Sequence, residues 1–135
     1  MQPNDYHSLY NAARAALTNS YSPYSKFRVG AAVLTKSGNV FTGTNVENAS
    51  YGLTICAERA AIFNAVSQGE RALVAIAVAS ELGSACAPCG ACRQVIFEFA
   101  RFIPVVYMSD SGSLAIRPIA DLLPDGFGPD DLTRK

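Results

Sequence analysis

The stretch Leu73 to Ala79 is apolar at every position and lies between Arg71 and Ser80. An unbroken run of that length, with no polar alternation, reads as a strand buried on both faces. Such a strand needs helices over both surfaces of its sheet, which restricts the chain to a layered α/β arrangement. The flanking segments supply those helices. Ala57 to Val66 is apolar nearly all round, with Gly69 placed just past its end, and reads as a buried helix. Gly90 to Phe99 reads as a second helix, with Gln94, Glu98 and Arg101 on a polar stripe. Ile103 to Met108 is another strand, and its connection from the central strand should be a parallel crossover.

Upstream, Tyr6, Leu9, Tyr10, Ala13 and Leu17 recur at helical spacing, with Asn4 or Asp5 as the cap. Ser20 to Ser25 carries Pro23 and reads as a loop. Phe27 to Leu34 and Val40 to Thr44 read as an antiparallel hairpin about the Lys36-Ser37-Gly38-Asn39 turn. The tail, with Pro118, Pro124 and Pro129, should form at most short helices. The expected fold is a three-layer α/β/α sandwich with a mixed sheet of about five strands, and residues 1–135 form a single domain.

Eleven basic residues balance eleven acidic ones. A neutral chain lacks the basic footprint of a nucleic-acid binder. No run of about 18 apolar residues suggests a membrane span, and Met1 to Asp5 has no signal-sequence pattern. The expectation is a cytoplasmic protein, where cysteines serve as metal ligands or core residues rather than disulfides.

The cysteines are unevenly placed. Cys86, Cys89 and Cys92 form a C-x-x-C-x-x-C run, and Cys56 stands alone upstream. Cys56-Ala57-Glu58-Arg59 and Pro88-Cys89-Gly90-Ala91-Cys92-Arg93 each fall at an expected helix start. Unpaired N–H groups and the helix dipole favour thiolates there. Two facing helix starts would bring three thiolates onto one ion and leave a fourth tetrahedral position for water, an open catalytic zinc arrangement. Zinc would bring that water to hydroxide near neutral pH, and Glu58 would move its proton. One zinc with three thiolates is net negative, which Arg59 offsets by donating hydrogen bonds to a thiolate.

These residues match the Cys-x-Glu and Pro-Cys-x-x-Cys elements of zinc deaminases. The wider chain resembles the small homotetrameric cytidine deaminases. The resembling stretches are Pro23-Tyr24-Ser25-Lys26-Phe27, Val29-Gly30-Ala31-Ala32, Asn45-Val46-Glu47-Asn48-Ala49 and the two cysteine segments continued to Gln94. Leu122-Leu123-Pro124 through Phe127-Gly128-Pro129 completes them.

The resemblance implies hydrolytic deamination of free cytidine and deoxycytidine to uridine and deoxyuridine, by zinc-bound hydroxide with Glu58 as the proton shuttle. It implies one zinc per subunit, on Cys56, Cys89 and Cys92. It implies that Asn45 and Glu47 bind the sugar hydroxyls, Phe27 packs on the pyrimidine, and the Ala57 N–H meets the ring carbonyl. Tyr51 and Phe127 resemble residues that neighbouring subunits of a homotetramer contribute. Two alternatives stay open: deamination of another aminopyrimidine nucleoside or antibiotic analogue, and a closed structural zinc site that recruits Cys86 as well. In the catalytic reading Cys86 is a small buried hydrophobe or a free thiol.

Overall fold

In a computed structural model of the protein, residues 3–133 are described. Helix α1 (Pro3–Ala16) runs into a short 3-10 turn, Leu17–Asn19. Strands β1 (Val29–Thr35) and β2 (Val40–Thr44) form the first hairpin. Helix α2 (Ala57–Ser67), strand β3 (Leu73–Ser80), helix α3 (Gly90–Phe99) and strand β4 (Pro104–Met108) follow. Strand β5 (Leu114–Pro118) and the short helices α4 (Ile119–Leu122) and α5 (Pro129–Thr133) close the chain.

The strands form one mixed sheet in the order β2-β1-β3-β4-β5. β1 pairs antiparallel with both β2 and β3, β3 pairs parallel with β4, and β4 pairs antiparallel with β5. The expected hairpin, parallel crossover and three-layer sandwich are all present. Alternation along β3 separates the layers. Ala75, Ala77 and Ala79 face the α1 side, with Leu9, Tyr10 and Ala13. Ile76 and Val78 face the other side, with Ala61, Ile62, Ile96 and Phe97 of α2 and α3.

Two glycines set how closely helices approach the sheet. A Cβ at Gly30 would lie 2.0 Å from the Ala13 carbonyl oxygen, so α1 rests directly on β1. A Cβ at Gly43 would lie 2.3 Å from the Ala61 nitrogen, so α2 rests equally close on β2. The second contact fixes where α2 begins, and hence where Cys56 sits.

Three sequence expectations shift. Helix α1 begins at Pro3, so Asp5 lies inside its first turn, where a carboxylate complements the dipole; the Asn4 side chain lies outside the described residues. β1 begins at Val29, which leaves Phe27 in the preceding loop. The tail contributes β5, which pairs with β4 from Pro104–Pro118 to Met108–Leu114. No described helix is long and apolar enough to cross a membrane.

Candidate active site

Cys56 caps the start of α2 in an extended conformation, and Cys89 does the same for α3. The two starts face each other across one end of a cleft. The Sγ atoms of Cys56, Cys89 and Cys92 all lie within 4.8 Å of one another, with Cys56 and Cys89 sulfurs 3.9 Å apart. The Cys92 backbone N–H points at the Cys89 sulfur at 3.5 Å, as the helix-start argument requires.

The donors around the sulfurs suit a cation held by thiolates. Arg59 Nη2 donates to Cys56 Sγ at 3.3 Å, and Arg59 Nε is buried without a hydrogen-bond partner among the described residues. A hydrogen bond shared with Cys92, then those from Arg59 and Cys89, bring the Cys56 thiol down to about 5. The same sharing, together with burial, pushes the Cys92 thiol up. Within the pair, Cys56 ionises first. Three soft sulfurs gathered within 4.8 Å fit zinc.

Glu58 is 5% exposed, the one buried carboxylate among the described residues. Burial, with the nearby Cys56 charge, pushes it up to about 7. A carboxyl with that affinity both takes and gives a proton at neutral pH. The cleft in front of it holds about 280 Å³. Ser25, Phe27, Asn45 and Glu47 line it together with Cys56, Ala57, Glu58, Cys86 and Cys89. A groove of about 450 Å³ between α1 and the β1–β2 hairpin is larger. Its lining carries no sulfur, so chemistry rather than size locates the site.

Asn45 and Glu47 reach the cleft through engagements that residue type did not suggest. Asn45 Oδ1 accepts from the Val29 N–H at 3.0 Å and from Ser20, and its Nδ2 donates to the Phe27 carbonyl at 2.8 Å. Glu47 accepts from the Tyr24 and Ser25 N–H groups at 2.9 and 3.1 Å and from the Ser25 hydroxyl. The Ser25 hydroxyl foremost holds its carboxyl below the usual range. The same loop carries Lys26 at φ 60°, a left-handed conformation unusual for a residue with a side chain. Asn45 and Glu47 thereby brace the turn that presents Phe27, which is 38% exposed.

Tyr51 meets Tyr24 edge-on with ring centroids 6.0 Å apart, and lines an adjoining cleft that shares Ser25, Glu47 and Thr54. Phe127 is not brought to the cleft of its own chain. Its carbonyl accepts from Gln94 Nε2 at 2.7 Å, and its ring is 57% exposed. Residue-type reasoning missed Ser25 and Thr54, short hydroxyl residues whose only signal was their place beside Phe27 and Cys56. It took Cys86 for a small buried hydrophobe or a free thiol; the thiol is free and half-buried, and it lines the cleft.

Facing helix starts that gather three thiols, a buried acid beside them and an open cleft in front define a hydrolytic metalloenzyme. Residues 3–109 match the family described as the cytidine and deoxycytidylate deaminase zinc-binding region, and the chain belongs to that family. It is 46% identical over 129 residues to a cytidine deaminase of Halalkalibacterium halodurans, covering 95% of this chain and 98% of the relative. It is 44% identical over 131 residues to a cytidine deaminase of Mycobacterium tuberculosis, covering 97% and 96%. The fold superposes on the crystal structure of a cytidine deaminase from Burkholderia pseudomallei with a TM-score of 0.85 at 48% identity, covering 94% of this chain and all 100% of the other.

Proposed function

We propose that this chain, acting as a single domain over residues 1–135, hydrolyses free cytidine and deoxycytidine to uridine and deoxyuridine with release of ammonia. The observation that carries the reading is the convergence of Cys56, Cys89 and Cys92 within 4.8 Å beside buried Glu58, at a cleft that Asn45 and Glu47 also line. Cytidine deaminases at 44 to 46% identity over almost the whole chain support it.

Cys56, Cys89 and Cys92 would hold the zinc, and Arg59 steadies the Cys56 thiolate. Bound there, zinc would supply the Lewis acidity that lets a water ionise near neutral pH. Glu58 moves the protons: it accepts one from the attacking water and delivers it to ring nitrogen 3, then takes the proton of the hydroxyl formed on carbon 4 and passes it to the departing amine, which leaves the uridine carbonyl. The water oxygen joins ring carbon 4, and the bond from that carbon to the exocyclic nitrogen breaks. The Ala57 N–H, at a helix start where N–H groups have no intrahelical acceptor, meets the ring carbonyl. Phe27 packs on the ring. Asn45 and Glu47 take the sugar hydroxyls, and the Glu47 carboxylate disfavours a phosphate in that position.

The working form is a homotetramer in which Phe127 and Tyr51 complete a neighbour's pocket. Support comes from their exposure, 57% and 75%, with Leu53 71% exposed in the same short turn as Tyr51. The cytoplasm suits it, because a reducing compartment keeps such a cluster as thiols. The test is ultraviolet absorbance of cytidine incubated with the protein, with cytidine monophosphate in parallel. Conversion of the nucleoside with little change in the monophosphate is expected. Comparable turnover of both removes the Glu47 role, and a zinc-loaded protein inert to both overturns the reading.

A further inference from the structure

Cys86 belongs to the C-x-x-C-x-x-C run yet is not part of the three-sulfur cluster. It sits on the loop between β3 and α3, and its N–H donates to the Met108 carbonyl at 3.3 Å, which ties it to the end of β4. Its side chain packs against the core cluster beneath α2 and α3, as Val29 does. One face is therefore anchored, and the other lines the cleft with Phe27, Val29, Ala57, Glu58 and Ala87.

The cleft's walls divide the work on a six-membered aminopyrimidine ring. The α2 wall, Ala57 and Glu58, addresses the ring edge that carries the carbonyl and nitrogen 3. Carbon 4 has one other ring neighbour, carbon 5, on the opposite edge. Beyond α2 and the segments that carry Phe27, Val29, Asn45 and Glu47, the lining comes from the β3–α3 loop with Cys86 and Ala87, and the carbon 5 edge is assigned to that loop. Ala87 offers only a methyl group, so Cys86 is the side chain there whose size can vary against the ring. We infer that Cys86 sets the room beside ring carbon 5, and so determines which 5-substituted cytosine nucleosides the enzyme accepts. The inference rests on the proposed function and adds the specificity of the same site.

The ratio of kcat/KM for 5-methylcytidine to that for cytidine is the readout, measured in Cys86→Ala and Cys86→Leu. The leucine should lower the ratio by about tenfold or more, since one methylene's worth of pocket is felt at that scale. The alanine should raise it. A second readout does not depend on turnover: calorimetric binding of 5-methyluridine against uridine should move in the same directions. If the leucine variant fails to fold, the alanine variant and both readouts still decide. Ratios unchanged in the Cys86 variants, while the wild-type protein deaminates cytidine, overturn this inference alone. A wild-type protein that leaves cytidine intact and binds neither uridine overturns the proposed function, and the inference with it.

Discussion

Glu58 and Arg59 are neighbours in sequence and opposite in charge, and their surroundings give them different work. Glu58 is buried and pushed up to about 7, the range in which a carboxyl exchanges protons. Arg59 points its guanidinium at a sulfur. Glu58→Gln keeps the size and most of the packing but cannot carry a proton. Its kcat should fall by about 10²–10⁴ while zinc content, measured by elemental analysis, stays at the wild-type value. Loss of metal in that variant would make Glu58 a support for the ligands. The cysteines and Glu58 were legible in the sequence because their spacing is itself the chemistry: two residues between thiolates put both at one helix start. Asn45 and Glu47 were legible only through resemblance. Their role in bracing Phe27 depends on Ser20, Tyr24 and Ser25, more than twenty positions away, and no local pattern announces it.

At the scale of elements, α2 carries Cys56 and Glu58 and leans on β2 through the bare backbone of Gly43. Gly43→Ala inserts a methyl where the Ala61 nitrogen lies 2.3 Å away. Overpacking of this kind costs about 1–3 kcal/mol, and the displacement falls on the helix that holds the site. Thermal unfolding should drop and zinc affinity should weaken together; a drop in stability alone would detach the contact from the site. The β1–β2 turn is held by Glu70, which accepts from Thr35, Ser37 and Asn39. The Ser37 hydroxyl foremost holds its carboxyl below the ordinary value of 4.5. A depressed folded-state pKa contributes stability that is present above 4.5 and is lost as pH falls through the lowered value. The stability advantage of wild type over Glu70→Gln should therefore shrink on acidification below that point, as followed by denaturant melts. Strand β3 and both site helices were readable because their patterns are strong and long. β5 was not: Leu114–Pro118 carries Arg117 and ends in proline. It is a short edge strand that exists because the Ser109–Ser113 turn folds it back onto β4. β1 begins two residues late because Asn45 holds the Phe27 carbonyl, which local apolarity cannot foresee.

For the whole molecule, the neutral net charge offers little repulsion between copies, and Tyr51 and Phe127 are exposed. Sedimentation should find a tetramer, and Phe127→Ala should lower activity at a given concentration more than it lowers folded stability. A fully active monomer would separate Phe127 from the site. The order of the chain adds a last consequence. Cys56 and Cys92 bracket α2, β3 and the loop beyond, so an ion gripped by both ends knots the middle of the polypeptide into a closed ring around its central strand. By the chain-entropy account, cross-linking a loop of that size restrains the denatured state by about 3–5 kcal/mol. The metal is then a clasp on the fold as well as a reagent. A chelator should lower the unfolding midpoint in the absence of any nucleoside, and readded zinc should restore it.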